Sequence, residues 1–270
     1  MEAKAVNFKT AKGIKSAFLV IVCCFILAVC VFHFVLGDPA NFMNNDPNNH
    51  PLPGNFKGTI YKGGVIVPVL QTLFLTVIVL SIERAFAITK AKGKGNVTKF
   101  VKNVKEALDK NDTAKARELC VKQKGCVASV VYSTLTKYEE MEKDTTLAKE
   151  QKLMNIQKEL DEATALEMPS LQQNLVVIAT MTTLGTLIGL LGTVIGMIKS
   201  FAALATAGSP DSVALSAGIS EALVNTAFGI ATAVLALISY NYFTSKIDTI
   251  TYCIDEVGFS LVQSYAANHK

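Results

Sequence analysis

Tryptophan is absent from this 270-residue chain, histidine occurs three times, and no two of its six cysteines have CxxC spacing. With so few imidazoles and no Cys/His cluster, neither a zinc site nor a histidine-based catalytic constellation can be assembled. The phosphate-cradling GxxxxGKS/T loop, the GxSxG nucleophile turn, the HExxH metal helix and a GxGxxG following a strand are missing as well. The chain is therefore expected to be no enzyme, to hold no metal and to need no cofactor. Cys23, Cys24, Cys30, Cys120, Cys126 and Cys253 are expected to be reduced, buried small hydrophobes.

Charge is missing from four long stretches. Half of the residues are apolar, 18% are charged, and the mean hydropathy is +0.36. The two properties are segregated: residues 17–36, 65–82, 175–198 and 222–243 contain no Asp, Glu, Lys or Arg. Each run suits a bilayer crossing, which takes roughly 20 residues. The first run follows Lys4, Lys9, Lys12 and Lys15. It is longer than the apolar core of a cleaved signal and ends in bulky residues, so a retained anchor is expected.

Orientation follows from the lysines. Residues 89–173 carry 16 of the 26 Lys and Arg, whereas 37–64 contains only Lys57 and Lys62 and 204–217 contains none. The positive-inside rule places both termini and 89–173 in the cytoplasm. An introduced cysteine near Asn48 should then be reached from outside. The expected organisation is a cytoplasmic tail (1–16), span one (17–36), an Asn/Pro/Gly-rich extracytoplasmic loop with little regular structure (37–64), and span two (65–88). A cytosolic helical domain (89–173), span three (174–203), a second outer loop (204–217), span four (218–243) and a cytosolic C-terminal helix (244–270) follow. The fold class is all-α, a polytopic membrane protein with a cytosolic helical bundle.

Within 89–173, apolar periodicity marks Val97, Phe100, Val101, Val104 and Leu108, then a break at DKND, then Ala114, Ala116 and Leu119. One longer amphipathic helix is expected from Val130 to Met168, running toward span three. After span four, Ile247, Ile250, Ile254, Val257 and Leu261 continue a helical stripe that can pack on the same bundle. The charges of 96–172 are near-balanced, as on a solvated bundle surface, and no nucleic-acid partner is expected.

Spans three and four carry the chemistry. Thr182, Thr186, Gly189, Thr193, Gly196 and Ser200 step by 4, 3, 4, 3, 4, which puts them on one helix face. Gly185, Gly189, Gly192 and Gly196 suit close helix packing in lipid. The interleaved hydroxyls either bond back to their own helix or line a polar space. In span four, Glu221, Asn225, Gly229, Thr232, Ala236 and Ser239 share a face, and Thr226 lies one turn and a half beyond Glu221. A carboxylate at this depth is costly and marks ion handling by default. The alternative is a helix-end role, with Ser216 or Ser220 as cap and Glu221 favouring the positive end of the dipole. Lys199 either snorkels outward or meets an anionic group on a partner.

At LLGTVIGMIKSF (190–201) and SAGISEALVNTAFGIATAVLALISYNYF (216–243) the chain resembles the MotA/TolQ/ExbB proton channel family, and within it the ExbB/TolQ branch. The 28-residue step from Thr193 to Glu221 and the five-residue step to Thr226 are shared. AVLA (233–236) stands where that branch has AIPA, and four spans stand where it has three. The resemblance implies pore-facing Thr193 and Thr226 and a membrane carboxylate at Glu221, with Thr182, Thr186 and Asn225 along the proton path. It implies helix packing at Gly185, Gly189, Gly192, Gly196 and Gly229. It also implies a homo-oligomeric ring, a pentamer, in the cell inner membrane. The ring surrounds an ExbD/TolR-type single-span partner and drives a TonB-type energy transducer. Tol-type envelope maintenance and a motility stator are the alternatives within the family. A secondary transporter and a structural scaffold are the alternatives outside it.

Overall fold

The computed structural model describes residues 16–47, 49–206 and 212–269. The N-terminal lysines, Asn48 and residues 207–211 of the second outer loop lie outside the described residues. Those described form helices and the loops that join them, with no strand beyond a single bridge between Phe42 and Pro51. Among the described residues, four helices are long and apolar enough to cross a membrane. The chain divides into two compact units, one from Ile14–Ile82 with Asn174–Asn241, the other from Glu83–Gln173 with Tyr242–Lys270.

The first unit opens with α1 (Ala17–Cys30), started by the Ser16 hydroxyl, which accepts from the Leu19 N–H. Its buried side is a period-four stripe of Val20, Cys24, Ala28, Phe32 and Leu36. Four residues of α-helix overshoot a full turn by about 40°, so such a stripe drifts around the helix. From Val31 to Leu36 the helix widens to π geometry, whose larger turn offsets that drift. Phe32 and Leu36 then pack with Val67 and the partly buried Ile60 and Tyr61, and the Phe32 and Tyr61 rings stack at 4.6 Å.

The loop that follows is more ordered than its composition suggests. Buried Asn41 donates to the carbonyls of Val35 and Leu36 at 3.0 and 3.1 Å, which ties the loop to the end of span one. Asn55 caps the short α2 (Phe56–Tyr61). A Gly63–Gly64 turn leads into α3 (Ile66–Ala91), with Pro68 in its first turn, where a missing N–H costs nothing.

The second unit contains α4 (Val97–Asp109), α5 (Thr113–Gln123), α6 (Gly125–Lys143), α7 (Lys149–Gln172) and the far part of α9 (Ser212–Asn268). The stripes expected in α4 and beyond span four are all buried. In α5 the buried face is Ala116, Cys120 and Gln123, with Ala114 exposed and Leu119 half-buried. Burial pushes the Cys120 and Cys126 thiols up to about 12, so both stay protonated.

The single amphipathic helix expected over 130–168 is two helices. Asp144 accepts from the N–H groups of Thr146 and Leu147 and from the Thr146 hydroxyl. A short side chain that bonds the backbone just ahead of it offers the chain a turn instead of a helix. α6 and α7 then pack against each other. Span four and the C-terminal stripe lie on one helix, α9, which runs uninterrupted from Ser212 to Asn268.

Arg84, 0% exposed, lies where α7 ends. Its guanidinium donates to the Glu83 carboxylate through Nε at 2.7 Å and Nη2 at 2.5 Å. Nη1 donates to the carbonyls of Ser170 and Leu171, both at 3.3 Å. Those carbonyls belong to a helix terminus, where the usual N–H partners four residues on are lost. Asn174, at φ 62°, marks the break before α8 (Leu175–Thr206).

Candidate functional site

The site is built by α8, the start of α3 and the adjoining part of α9, all within the first unit. Gly185, Gly189, Gly192 and Gly196 are buried on α8 and meet α9 of the same chain. A Cβ on Gly189 would stand 3.1 Å from the Asn225 carbonyl oxygen, and one on Gly229 would stand 2.5 Å from that of Gly185. A methyl group does not fit at Gly229, and at Gly189 it fits only if α8 and α9 shift slightly apart. The glycine side of α8 is thus closed by α9, whereas Leu187, Leu190, Leu191, Val194 and Ile198 are exposed.

The hydroxyls divide. Thr186 is exposed and bonds back to the Thr183 carbonyl at 2.9 Å. The buried Thr182 hydroxyl has no partner among the described residues. Ser200 is buried and reaches the carbonyls of Gly196 and Leu215 at 3.1 and 3.2 Å. Thr193 and Thr226 share a hydrogen bond between their hydroxyls, across the seam between α8 and α9. Both hydroxyls also lie near the Ala222 carbonyl oxygen, at 3.4 and 3.2 Å. A pair of hydroxyls bridging two helices can pass a proton by exchanging donor and acceptor roles.

Glu221 is buried inside α9, about two and a half turns beyond Ser212, so neither Ser216 nor Ser220 caps a helix for it. Its Oε1 accepts from Lys199 Nζ at 2.6 Å. The same oxygen abuts Gly64, whose φ of +78° is in the left-handed region and where any Cβ would run into the carboxylate. Four residues on, fully buried Asn225 donates to the Gly63 carbonyl at 2.9 Å, while its Oδ1 has no partner among the described residues. Phe74 and Phe228 meet edge to face at 5.6 Å and close α3 onto α9 below that point.

The structure therefore brings Thr193 and Thr226 together, and joins Glu221 and Asn225 through the turn ahead of α3. Thr182 and Thr186 enter neither group of hydrogen bonds. Sequence reasoning missed the Gly63–Gly64 turn and the partner of Lys199. The signal for the latter was present: Lys199 ends one charge-free run, Glu221 precedes the next, and antiparallel neighbours bring those ends together. Beyond this group lies a cavity of about 450 Å³ with Asn49, His50, Thr59, Lys62, Ser216 and Ser220 in its lining. Burial pulls the Lys62 ammonium below its usual value, and the charge of Asp46 opposes that fall.

The sequence model of the MotA/TolQ/ExbB proton channel family matches residues 124–256. The Tol-Pal system protein TolQ of Pseudomonas aeruginosa is 37% identical over 84 residues, 31% of this chain and 36% of that protein. The biopolymer transport protein ExbB of Helicobacter pylori is 34% identical over 94 residues, 35% of this chain and 64% of that protein. Its counterpart in Salmonella typhimurium is 32% identical over 80 residues, 30% of this chain and 33% of that protein. Each match spans less than two thirds of the relative's own length.

Proposed function

Because this chain belongs to the MotA/TolQ/ExbB proton channel family, we propose that it is the ring-forming subunit of a proton-driven machine in the cell inner membrane. The observation that carries this reading is the Thr193–Thr226 hydroxyl pair, set in charge-free helix beside the buried Glu221. Hydroxyls and one carboxylate make an incomplete proton path, since a relay needs a group that takes up and releases the proton on each side. A single-span partner of ExbD/TolR type, bearing a carboxylate, supplies the missing acceptor. Five copies of this chain surround that partner. The exposed apolar residues of α8 meet neighbouring copies or lipid, as membrane faces do.

Proton flow through this ring drives the partner, which delivers work across the envelope to a TonB-type transducer for uptake. The matched relatives carry both ExbB and TolQ names, so Tol-type envelope maintenance is the second client. A deletion strain separates them: uptake fails under one, and outer-membrane integrity under the other.

The reading is tested by Thr193→Val, Thr226→Val and Glu221→Gln in the full chain with its partner. Each keeps the side-chain shape and removes a hydroxyl or a titrating group. Oligomer size should be unchanged, and proton-dependent work should fall about tenfold or more, the factor that corresponds to about 1.4 kcal/mol on a barrier. Normal work in all three variants would leave a structural scaffold as the better account.

A further inference from the structure

Lys199 is the charged residue of α8 within its apolar stretch, and it points its ammonium at the Glu221 carboxylate on the neighbouring helix face. The two ends of this pair differ. The Lys199 side chain is 53% exposed and the Glu221 side chain 11%. The oxygen that Lys199 holds also rests against Gly64, because the Gly63–Gly64 turn leaves room for a carboxylate only where a Cβ is missing. Asn225 pins that turn by its bond to the Gly63 carbonyl. Meanwhile the bonds of Thr193 and Thr226 run to each other and to the carbonyls of Gly189 and Ala222, and none runs to Glu221.

We propose that Lys199 is a positioning residue, a latch that holds the Glu221 carboxylate on the Gly63–Gly64 turn and out of the hydroxyl pair. This rests on the proton-channel reading above and adds a regulated step to it. The carboxylate is enclosed and cannot be approached directly. The half-exposed ammonium can, so Glu221 is released through Lys199, when a competing anionic group draws the ammonium away. A surface ion pair would contribute little. Here one partner is buried, and removing the ammonium leaves an uncompensated carboxylate, which must move or react differently.

The chemistry of Glu221 itself can be read without any proton flow. A hydrophobic carbodiimide forms a stable adduct on membrane carboxyls that are not ion-paired, and the adduct is located by mass on the peptide carrying residue 221. The full chain is purified with its partner in nanodiscs and treated with the reagent. Lys199→Gln should label about fivefold to thirtyfold faster than the unmodified protein, the range that loss of one or two kcal/mol produces. Lys199→Arg keeps the charge and should label as slowly as the original, with its work retained. Glu221→Gln is the blank. If Lys199→Gln does not assemble, Lys199→Met, which keeps the apolar stem, carries the same comparison. Equal labelling with and without the ammonium, or fast labelling in Lys199→Arg, overturns the latch. Fast labelling in Lys199→Gln together with normal work in Thr193→Val, Thr226→Val and Glu221→Gln upholds the latch and rejects the channel reading instead.

Discussion

Glu167 is a carboxylate buried in the helical bundle, outside the membrane-spanning segments, and the proposed mechanism does not use it. Burial raises its pKa above the usual glutamate value, and a hydrogen bond from Ser129 opposes the rise. The sign of the effect on stability follows from linkage. Below the ordinary glutamate range both folded and unfolded chains hold the proton. As the pH climbs, the unfolded chain releases it first, so stability falls until the folded chain has released it too. Glu167→Gln removes this loss. Its thermal midpoint should gain on that of the unmodified protein between about pH 4 and about pH 7, the interval that starts near the free glutamate value. Melting curves at the two pH values decide it, and a constant difference would mean that Glu167 does not titrate in this window. Arg84 is the opposite case, a buried charge whose fork is filled by Glu83 and by the end of α7. Its residue type suited an interface, but nothing in the sequence named the carbonyls it would reach.

At the scale of elements, the seam between α8 and α9 depends on glycines that face each other. Gly229 on α9 meets Gly185 and Gly189 on α8. Gly229→Val would overpack this seam at a cost of about 1–3 kcal/mol. Both outcomes are measurable in detergent: a lower melting temperature and a larger fraction of aggregated or monomeric chain. Thr186→Val, on the exposed face one residue from Gly185, should change the melting temperature little. The four spans were legible because an apolar run of such length, free of charge throughout, is costly to keep in water and suits a bilayer. The bundle stripes in α4 and α9 were legible because their period is regular. The turn at Asp144 was not, since its signal is one side chain bonding locally inside an otherwise helical pattern. The offset in α5 was missed because Ala114 and Ala116 are equally apolar, and Cys120 was not counted as part of the stripe. The π segment of span one could be read only from the drift of a stripe whose partners were unknown.

For the whole molecule, sequence placed the polar and the small residues of spans three and four on their helices, but not which of them touch. Thr193 and Thr226 stand 33 residues apart and meet, and Glu221 and Lys199 stand 22 apart and meet. Thr182 and Thr186, on the same expected stripe, meet neither pair. Tertiary pairing of this kind depends on how two helices cross, which a one-dimensional period does not encode. α9 adds a constraint of its own. A helix hydrogen-bonded from Ser212 to Asn268 fixes the rotational phase of each residue relative to its neighbours along it. One inserted residue near Tyr240 would turn everything beyond it by about 100°, whereas seven would return it to within about 20°. An insertion series there acts as a protractor. Assembly and proton-driven work should be lost with one or two added residues and largely restored with seven, and a chain indifferent to all three lengths would show that α9 does not transmit phase.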